Sequence, residues 1–390
     1  MGPNQLVLLF LLVVTCSSPS TAESCTTTHG IAGECTARNN CKAFHEVKAK
    51  SSFKSLNQRK QNQLLLSWRC GETTLVCCPY DTPYSEPPPS VESHRNQRLL
   101  PPLEECGSSS ADRLYGGNKT ELLEYPWMAL ISTETTGRVR QIDFTCGGTV
   151  INNRYILTAA HCITKLRNRQ VIGVRVGEWD KSTVIDCDRG YCAPPVQDIA
   201  IEEILPHPGY VGIIPGRNRD LRDDIGLLRL ANPIDLTVEN VTPICLPTTK
   251  QMRETKLGDK ELTLTGWGRT NNMLEDGSMT TRKDVSDPRL LQITVPIVSN
   301  RICAEIYNSS DFGGIGFRQL CASGLEGISS CDGDSGSPMG YSLTLPRKKI
   351  KFVQFGVVSA GRRDCGTKDH PGILTNVVYY MDWILDTIKP

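Results

Sequence analysis

Six cysteines, at positions 25, 35, 41, 70, 77 and 78, crowd into one short stretch in the pattern Cys-x9-Cys-x5-Cys-x28-Cys-x6-Cys-Cys. A domain that small has little core, so it needs covalent staples. Staples imply an oxidising compartment. The first 22 residues agree: an apolar run from Leu6 to Val14 is followed by small residues, with Ser20 and Ala22 placed as at a signal-peptidase site. Residues 1–22 therefore read as a secretory signal, too short for a stable membrane anchor. The chain has seventeen cysteines; loss of Cys16 with the signal leaves sixteen, enough for eight disulfides. No histidines interleave with them at zinc spacing, which argues against a metal-binding cluster. Six cysteines allow fifteen pairings, and spacing alone does not choose among them.

The cysteine-rich segment spans residues 23–80. From 81 to 113 the composition changes: Pro87, Pro88, Pro89, Pro101 and Pro102 sit among polar residues without a hydrophobic period, as in an extended linker that carries a lone Cys106. From 114 to 390, short β-branched runs such as Tyr155–Ala159, Gly173–Val176, Leu262–Thr265 and Phe352–Val358 alternate with Gly, Pro and Asn turns, the signature of an all-β barrel or sandwich. At the end, Val377, Tyr380, Met381, Ile384 and Ile388 recur at helical intervals, which predicts a terminal amphipathic helix. The 390 residues carry a net charge of +1, which argues against a nucleic-acid partner held by backbone charge. The densest basic run, Arg347, Lys348, Lys349 and Lys351, reads as a solvated loop. No later segment is long and apolar enough to span a membrane.

Three motifs carry chemistry: Thr158-Ala159-Ala160-His161-Cys162, Asp224-Ile225-Gly226-Leu227-Leu228 and Gly333-Asp334-Ser335-Gly336-Ser337-Pro338. Each alone is weak. A serine hydroxyl is a poor nucleophile at neutral pH, and a histidine base oriented by a carboxylate makes it a strong one. The order His, Asp, Ser, with Cys146-Gly147-Gly148 and Gly266-Trp267-Gly268, resembles the chymotrypsin family over nearly all of residues 114–390. The resemblance implies His161, Asp224 and Ser335 as catalytic, with Asp224 preferred to the adjacent Asp223 because it directly precedes the apolar stretch. It also implies an oxyanion site on the backbone N–H groups of Gly333 and Ser335. His207 and His370 lie in loop-like contexts and read as structural or solvated. Ser337 departs from the family, which usually has a second glycine there.

The N-terminal pattern resembles the clip domain of arthropod proteases. Together the two resemblances imply a mainly β fold: a chymotrypsin-like double β-barrel with a C-terminal helix, preceded by a small disulfide-rich clip domain. They also imply the pairs Cys25–Cys77, Cys35–Cys70, Cys41–Cys78, Cys106–Cys245, Cys146–Cys162, Cys187–Cys192, Cys303–Cys321 and Cys331–Cys365. Arg113-Leu114-Tyr115-Gly116-Gly117 resembles an activation site. Cleavage after Arg113 would free the Leu114 amine to pair with Asp334, and the Cys106–Cys245 bond would keep the clip domain attached.

By the same resemblance, Ser329 forms the base of the primary specificity pocket, and Gly361 and Gly372 its walls. Trypsin-like members have Asp at the base, so the expectation here is chymotrypsin-like cleavage, with trypsin-like cleavage as the alternative. No cofactor is expected for catalysis. Glu178, Asp180 and Asp186, with the Thr183 carbonyl, form a candidate structural calcium loop. Asn118, Asn240 and Asn308 begin acceptor tripeptides for N-glycosylation. The expected function is a secreted, extracellular zymogen endopeptidase of a proteolytic cascade serving innate immunity, through melanisation or Toll signalling. Its expected partners are a protein substrate (a downstream zymogen or pro-ligand), an upstream activating protease and a serpin inhibitor. The alternative is a non-proteolytic clip-domain adaptor.

Overall fold

The computed structural model describes residues 24–26, 32–38, 41, 44, 58–66, 69–70, 75–79, 88–109, 119–164, 166–213, 219–258, 260–268, 288–307, 315–322, 334–345, 349–360 and 371–390. The chain forms two compact units, Met1–Thr82 and Pro83–Pro390.

In the first unit, β1 (Ser24–Thr26), β2 (Ala32–Ala37) and β3 (Leu75–Pro79) pair antiparallel in that order, with a helix at Gln58–Leu66 in the β2–β3 connection. Consecutive side chains of a strand point to opposite faces. The adjacent Cys77 and Cys78 of β3 can therefore bond in different directions, Cys77 to Cys25 and Cys78 to Cys41, while Cys35 bonds to Cys70. Around these staples Cys41, Val76 and Cys77 are buried at 2% exposure or less.

The second unit contains two closed six-strand barrels. The strands of the first half of its sequence are β4 (Met128–Thr135), β5 (Ile142–Val150), β6 (Tyr155–Thr158), β7 (Arg169–Val176), β8 (Cys187–Asp188), β9 (Tyr191–Cys192), β10 (Gln197–Pro206), β11 (Gly212–Ile213), β12 (Arg219–Asp220) and β13 (Gly226–Leu230). The first barrel closes in the order β10-β13-β6-β5-β4-β7; β8–β9 and β11–β12 are small separate hairpins. The second barrel is built from β14 (Glu261–Gly266), β15 (Leu291–Val298), β16 (Gln319–Ala322), β17 (Pro338–Leu345), β18 (Lys349–Ala360) and β19 (Gly372–Asn376), in the order β14-β15-β16-β19-β18-β17. Closure satisfies every strand edge, so short strands suffice. Trp127 and Phe352 stack with centroids 5.0 Å apart, and Tyr125 meets both edge-on, which joins the start of β4 to β18 of the other barrel.

The chain ends in a 3-10 turn, Val377–Tyr380, and an α-helix, Met381–Thr387. Val377, Tyr380, Met381, Ile384 and Ile388 are all buried, so the helical period of the sequence marks the inward face.

Residues 88–109 depart from the expected extended linker. They dock on the barrels: Val91 and Leu100 enter the core of the first barrel and terminal helix. Asn96 Nδ2 donates to Leu385 O (2.8 Å) and Ile388 O (3.2 Å), Asn152 Nδ2 donates to Leu99 O, and Arg253 pairs with Glu92. Cys106 is bonded to Cys245. Gly107 has φ +59°, and a Cβ there would lie 2.4 Å from Phe352 O, so the strap passes too close to β18 for any other residue. A strap held by separated anchors has no reason to show a hydrophobic period. Lys351, expected in a solvated basic run, is 5% exposed for the same reason: its Nζ donates to Glu104 O (2.9 Å) and Ser108 Oγ (2.5 Å) of the strap. Burial lowers its pKa. Arg347 and Lys348 lie outside the described residues. Among the described residues, no helix is long and apolar enough to cross a membrane.

Candidate active site

His161 sits on a single helical turn, Ala160–Ile163, directly after β6, and the following Cys162 is bonded to Cys146 of β5. Asp224 lies two residues before β13, the neighbour of β6. The sheet therefore brings both to one barrel end. His161 N donates to Asp224 Oδ1 (2.8 Å), and His161 Nδ1 lies 2.7 Å from Asp224 Oδ2. An ionised carboxylate only accepts, so a proton on Nδ1 satisfies this contact, while Nε2 lies 3.7 Å from Cys162 Sγ. Asp224 is fully buried. Two residues of the other barrel support it: Ser359 Oγ donates to its Oδ2 (2.5 Å) and Thr375 Oγ1 to its backbone O (2.7 Å). Sequence motifs did not single out Ser359 or Thr375; a polar residue inside a fully buried strand was the available signal.

Asp223, the rival carboxylate, points elsewhere. Its φ is +57°, a conformation that turns the chain between the two acids. Its Oδ1 accepts from Tyr380 Oη (2.8 Å) and Arg318 (3.4 Å). His207 packs edge-on against Tyr380 and Trp383, and burial lowers its pKa, consistent with a structural histidine.

Ser335 lies on a tight turn, with Ser337 N donating to Asp334 O (3.0 Å). The turn is pinned to both barrels: Ser335 O accepts from Gly147 N of β5 (2.8 Å), and Gly336 N donates to Val358 O of β18 (2.8 Å). Gly336 has φ +80°, and a Cβ there would lie 2.2 Å from Thr158 Oγ1. Asp334 Oδ1 accepts from Gly268 N (2.8 Å), and a Cβ at Gly266 or Gly268 would come within 2.2 Å of the carboxylate. The Gly-Trp-Gly motif is thus a cradle for Asp334. The unusual Ser337 is fully buried against Gly147, where a Cβ would lie 2.1 Å from its Oγ, and that Oγ has no hydrogen-bond partner among the described residues. Gly372 is buried at the start of β19. Gly333, Ser329, Gly361, Arg113, Leu114, Cys331 and Cys365 lie outside the described residues. Cys187–Cys192 and Cys303–Cys321 are bonded.

In the candidate calcium loop the structure brings two of the three carboxylates together. Trp179 N donates to both Glu178 Oε1 (3.1 Å) and Asp186 Oδ2 (2.7 Å), and both acids are buried. Burial, then the Asp186 charge, raises the Glu178 pKa; Arg175, 3.2 Å away, offsets this only in part. Both are hard-oxygen donors of the type calcium takes, and among the described residues no third acidic side chain completes a ligand group with them. Asp180 does not join them: its carboxylate accepts from Ser182 and pairs with Arg289 (3.0 Å). Those bonds outweigh burial and lower its pKa. Thr183 presents its Oγ1 to Asp186 (2.6 Å). Asn240 is 4% exposed, and its Nδ2 donates to Gly177 O (3.2 Å) and Pro194 O (2.8 Å), so in the folded chain that nitrogen is closed to a glycan. Asn118 and Asn308 lie outside the described residues.

The family model described as Trypsin matches residues 114–384, and the one described as the regulatory CLIP domain of proteinases matches residues 25–78. The chain is 35% identical to the CLIP domain-containing serine protease HP8 of Bombyx mori, over 93% of this chain and 95% of that one. It is 36% identical to phenoloxidase-activating factor 1 of Holotrichia diomphalia, over 98% of each. The solved structure of the Drosophila Grass clip serine protease of the Toll pathway superposes with a TM-score of 0.60 at 32% identity, covering 94% of this chain and 97% of that one.

Proposed function

The chain belongs to the trypsin family of serine proteases with a regulatory clip domain, and we propose that it is a secreted zymogen activated by cleavage after Arg113 to act in an extracellular immune cascade. The observation that carries the catalytic part is the buried Asp224 holding His161 by two hydrogen bonds, with the Ser335 turn pinned between the same barrels. The relatives named for phenoloxidase activation and for the Toll pathway support the cascade.

In the proposed reaction Ser335 Oγ bonds to the scissile carbonyl carbon while its proton passes to His161 Nε2. The carbonyl electrons move to oxygen, which the Gly333 and Ser335 N–H groups stabilise. Return of the electron pair breaks the C–N bond, and His161 gives its proton to the leaving amine. Water then repeats the sequence on the acyl-enzyme. Asp224 stays ionised and stabilises the imidazolium. The Leu114 amine, freed by cleavage, pairs with Asp334 in its glycine cradle and orders the oxyanion loop.

Ser329 makes the primary pocket neutral, and we assign it a preference for large apolar or aromatic side chains. Such a pocket does not cut at Arg113, so activation falls to an upstream trypsin-like protease. Its substrate is a downstream zymogen or pro-ligand and its inhibitor a serpin. Glu178 and Asp186 would hold a structural calcium ion that stabilises their loop. The test is protein cleaved after Arg113, treated with a serine-reactive phosphonate and then with a peptide panel. Labelling lost in Ser335→Ala, with faster turnover after Phe, Tyr or Leu than after Arg, is expected. Absence of labelling leaves the adaptor reading, and faster turnover after Arg overturns the specificity.

A further inference from the structure

Two consecutive aspartates stand before β13, and the proposed reaction uses only Asp224. Asp223 is anchored in its own right. Its Oδ1 accepts from Tyr380 Oη (2.8 Å), at the end of the terminal 3-10 turn, and from Arg318 Nη1 (3.4 Å), one residue before β16. Tyr380 is 1% exposed. Burial, then the Asp223 charge, raises the Tyr380 pKa, so the hydroxyl keeps the proton it donates. The Arg318 guanidinium lies 5.7 Å from the centre of the Tyr380 ring, which holds it beside the carboxylate. On the other side, Gly209 N donates to His207 Nδ1 (3.1 Å), and a Cβ on Gly209 would lie 2.4 Å from Asp223 Oδ2. Asp223 therefore fastens the loop between β12 and β13 of the first half to the second barrel and the terminal turn.

The anchor acts on a tight turn. Asp223 is left-handed, with φ +57°, a conformation that aspartate and asparagine tolerate better than most side chains. Ile225 N donates to Asp223 O (2.8 Å), which closes a short turn with Asp224 at its apex. Ile225 O in turn accepts from His207 N (2.9 Å). The direction of the Asp224 side chain thus follows from the rotation fixed at Asp223. Ser359 and Thr375 hold Asp224 directly, and Asp223 holds the backbone that leads into it. Small displacements matter here, because both oxygens of the Asp224 carboxylate bond to His161.

We propose that Asp223 is a positioning residue of the triad, a reading that rests on the protease assignment above. Its left-handed backbone sets the orientation of Asp224, and Tyr380 and Arg318 lock that backbone through the Asp223 carboxylate. The residue acts through Asp224. Substitution separates the two parts of the role. Asparagine keeps the backbone preference and an acceptor for Tyr380. Glycine keeps the backbone and loses the acceptor. Alanine loses both.

The test measures kcat and KM for ester hydrolysis by full chain cleaved after Arg113, well below the melting temperature of each variant. Asp223→Ala is expected to lower kcat about 10²-fold with KM unchanged, since the base is misplaced and the substrate is not. Asp223→Gly and Tyr380→Phe should lower kcat less, about threefold to tenfold. Asp223→Asn should recover the unmutated value. The downfield proton resonance of the His161–Asp224 hydrogen bond should move in Asp223→Ala and return in Asp223→Asn. An Asp223→Asn variant as impaired as Asp223→Ala, or a loss confined to KM, overturns the proposal. So do unchanged kcat values in Asp223→Gly and Tyr380→Phe, which decide the matter if Asp223→Ala does not fold. Absence of hydrolysis by the unmutated protein removes the protease reading and this role with it; hydrolysis that none of the four substitutions alters counts against the positioning role alone.

Discussion

His161 Nδ1 and Asp224 Oδ2 lie 2.7 Å apart, and the same carboxylate oxygen accepts a hydrogen bond from Ser359 of the other barrel. The carboxylate is therefore held in one orientation by both halves of the fold. Asp224→Asn keeps the shape but presents an amide. The imidazole then settles in the tautomer whose Nε2 carries the proton and cannot take one from Ser335. The expected result is a fall in kcat of about 10⁴-fold with little change in KM. Hydrolysis of an activated ester by protein cleaved after Arg113 measures it.

Gly336 offers a structural counterpart. Its φ of +80° and the 2.2 Å approach of Thr158 Oγ1 to a Cβ placed there leave no room for alanine. Gly336→Ala is expected to destabilise the fold by roughly 1–3 kcal/mol. It should also lower kcat, because the strain falls on the residue after the nucleophile. Thermal melting and ester hydrolysis read the two effects, and unchanged values for both contradict the described turn.

His161 and Asp224 could be named from the sequence because each sits in a contiguous motif, and the barrels because their strands are short apolar runs between turn residues. What escaped is long-range. Ser359 and Thr375 support Asp224 from residues more than a hundred positions away, and no local pattern ties them to it. Asp180 reads as a cation ligand in its loop, yet its partner Arg289 arrives from a distant bridge beside β15. The 88–109 strap escaped because its anchors, Val91, Asn96, Leu100 and Cys106, follow the grooves of the barrels and no helix or strand period.

That strap should hold the two chains together even without its disulfide. With Cys106 and Cys245 both replaced by Ser and Arg113 cleaved, the N-terminal fragment is expected to co-elute with the protease in size-exclusion chromatography at neutral pH. A hydrogen bond from Arg253 lowers the Glu92 pKa from 4.5 to about 2. A carboxyl depressed in the folded state contributes stability that is fully present above 4.5 and lost as pH falls through about 2. Fragment release should therefore become easier on acidification across that window, and Glu92→Gln should flatten the dependence. A fragment that separates at neutral pH contradicts the docked strap.

The loop around Trp179 links charge to stability in the opposite sense. Burial and the neighbouring Asp186 raise the Glu178 pKa above 4.5. The folded chain then binds a proton more readily than the unfolded chain, so this group favours folding below 4.5 and costs stability as pH rises through its folded value. A calcium ion between Glu178 and Asp186 would relieve that cost where it is largest, at neutral and alkaline pH. At a free calcium level a hundred times the Kd the gain is about 2.7 kcal/mol. Melting curves in calcium and in chelator should therefore differ by several degrees at pH 7.5 and converge near pH 4.5. Asp186→Asn should remove the difference. Asp180→Asn should leave it, because the Asp180 carboxylate is already engaged by Ser182 and Arg289. Identical melting curves at pH 7.5 refute the ion; a difference that survives Asp186→Asn but not Asp180→Asn moves it to the other carboxylate.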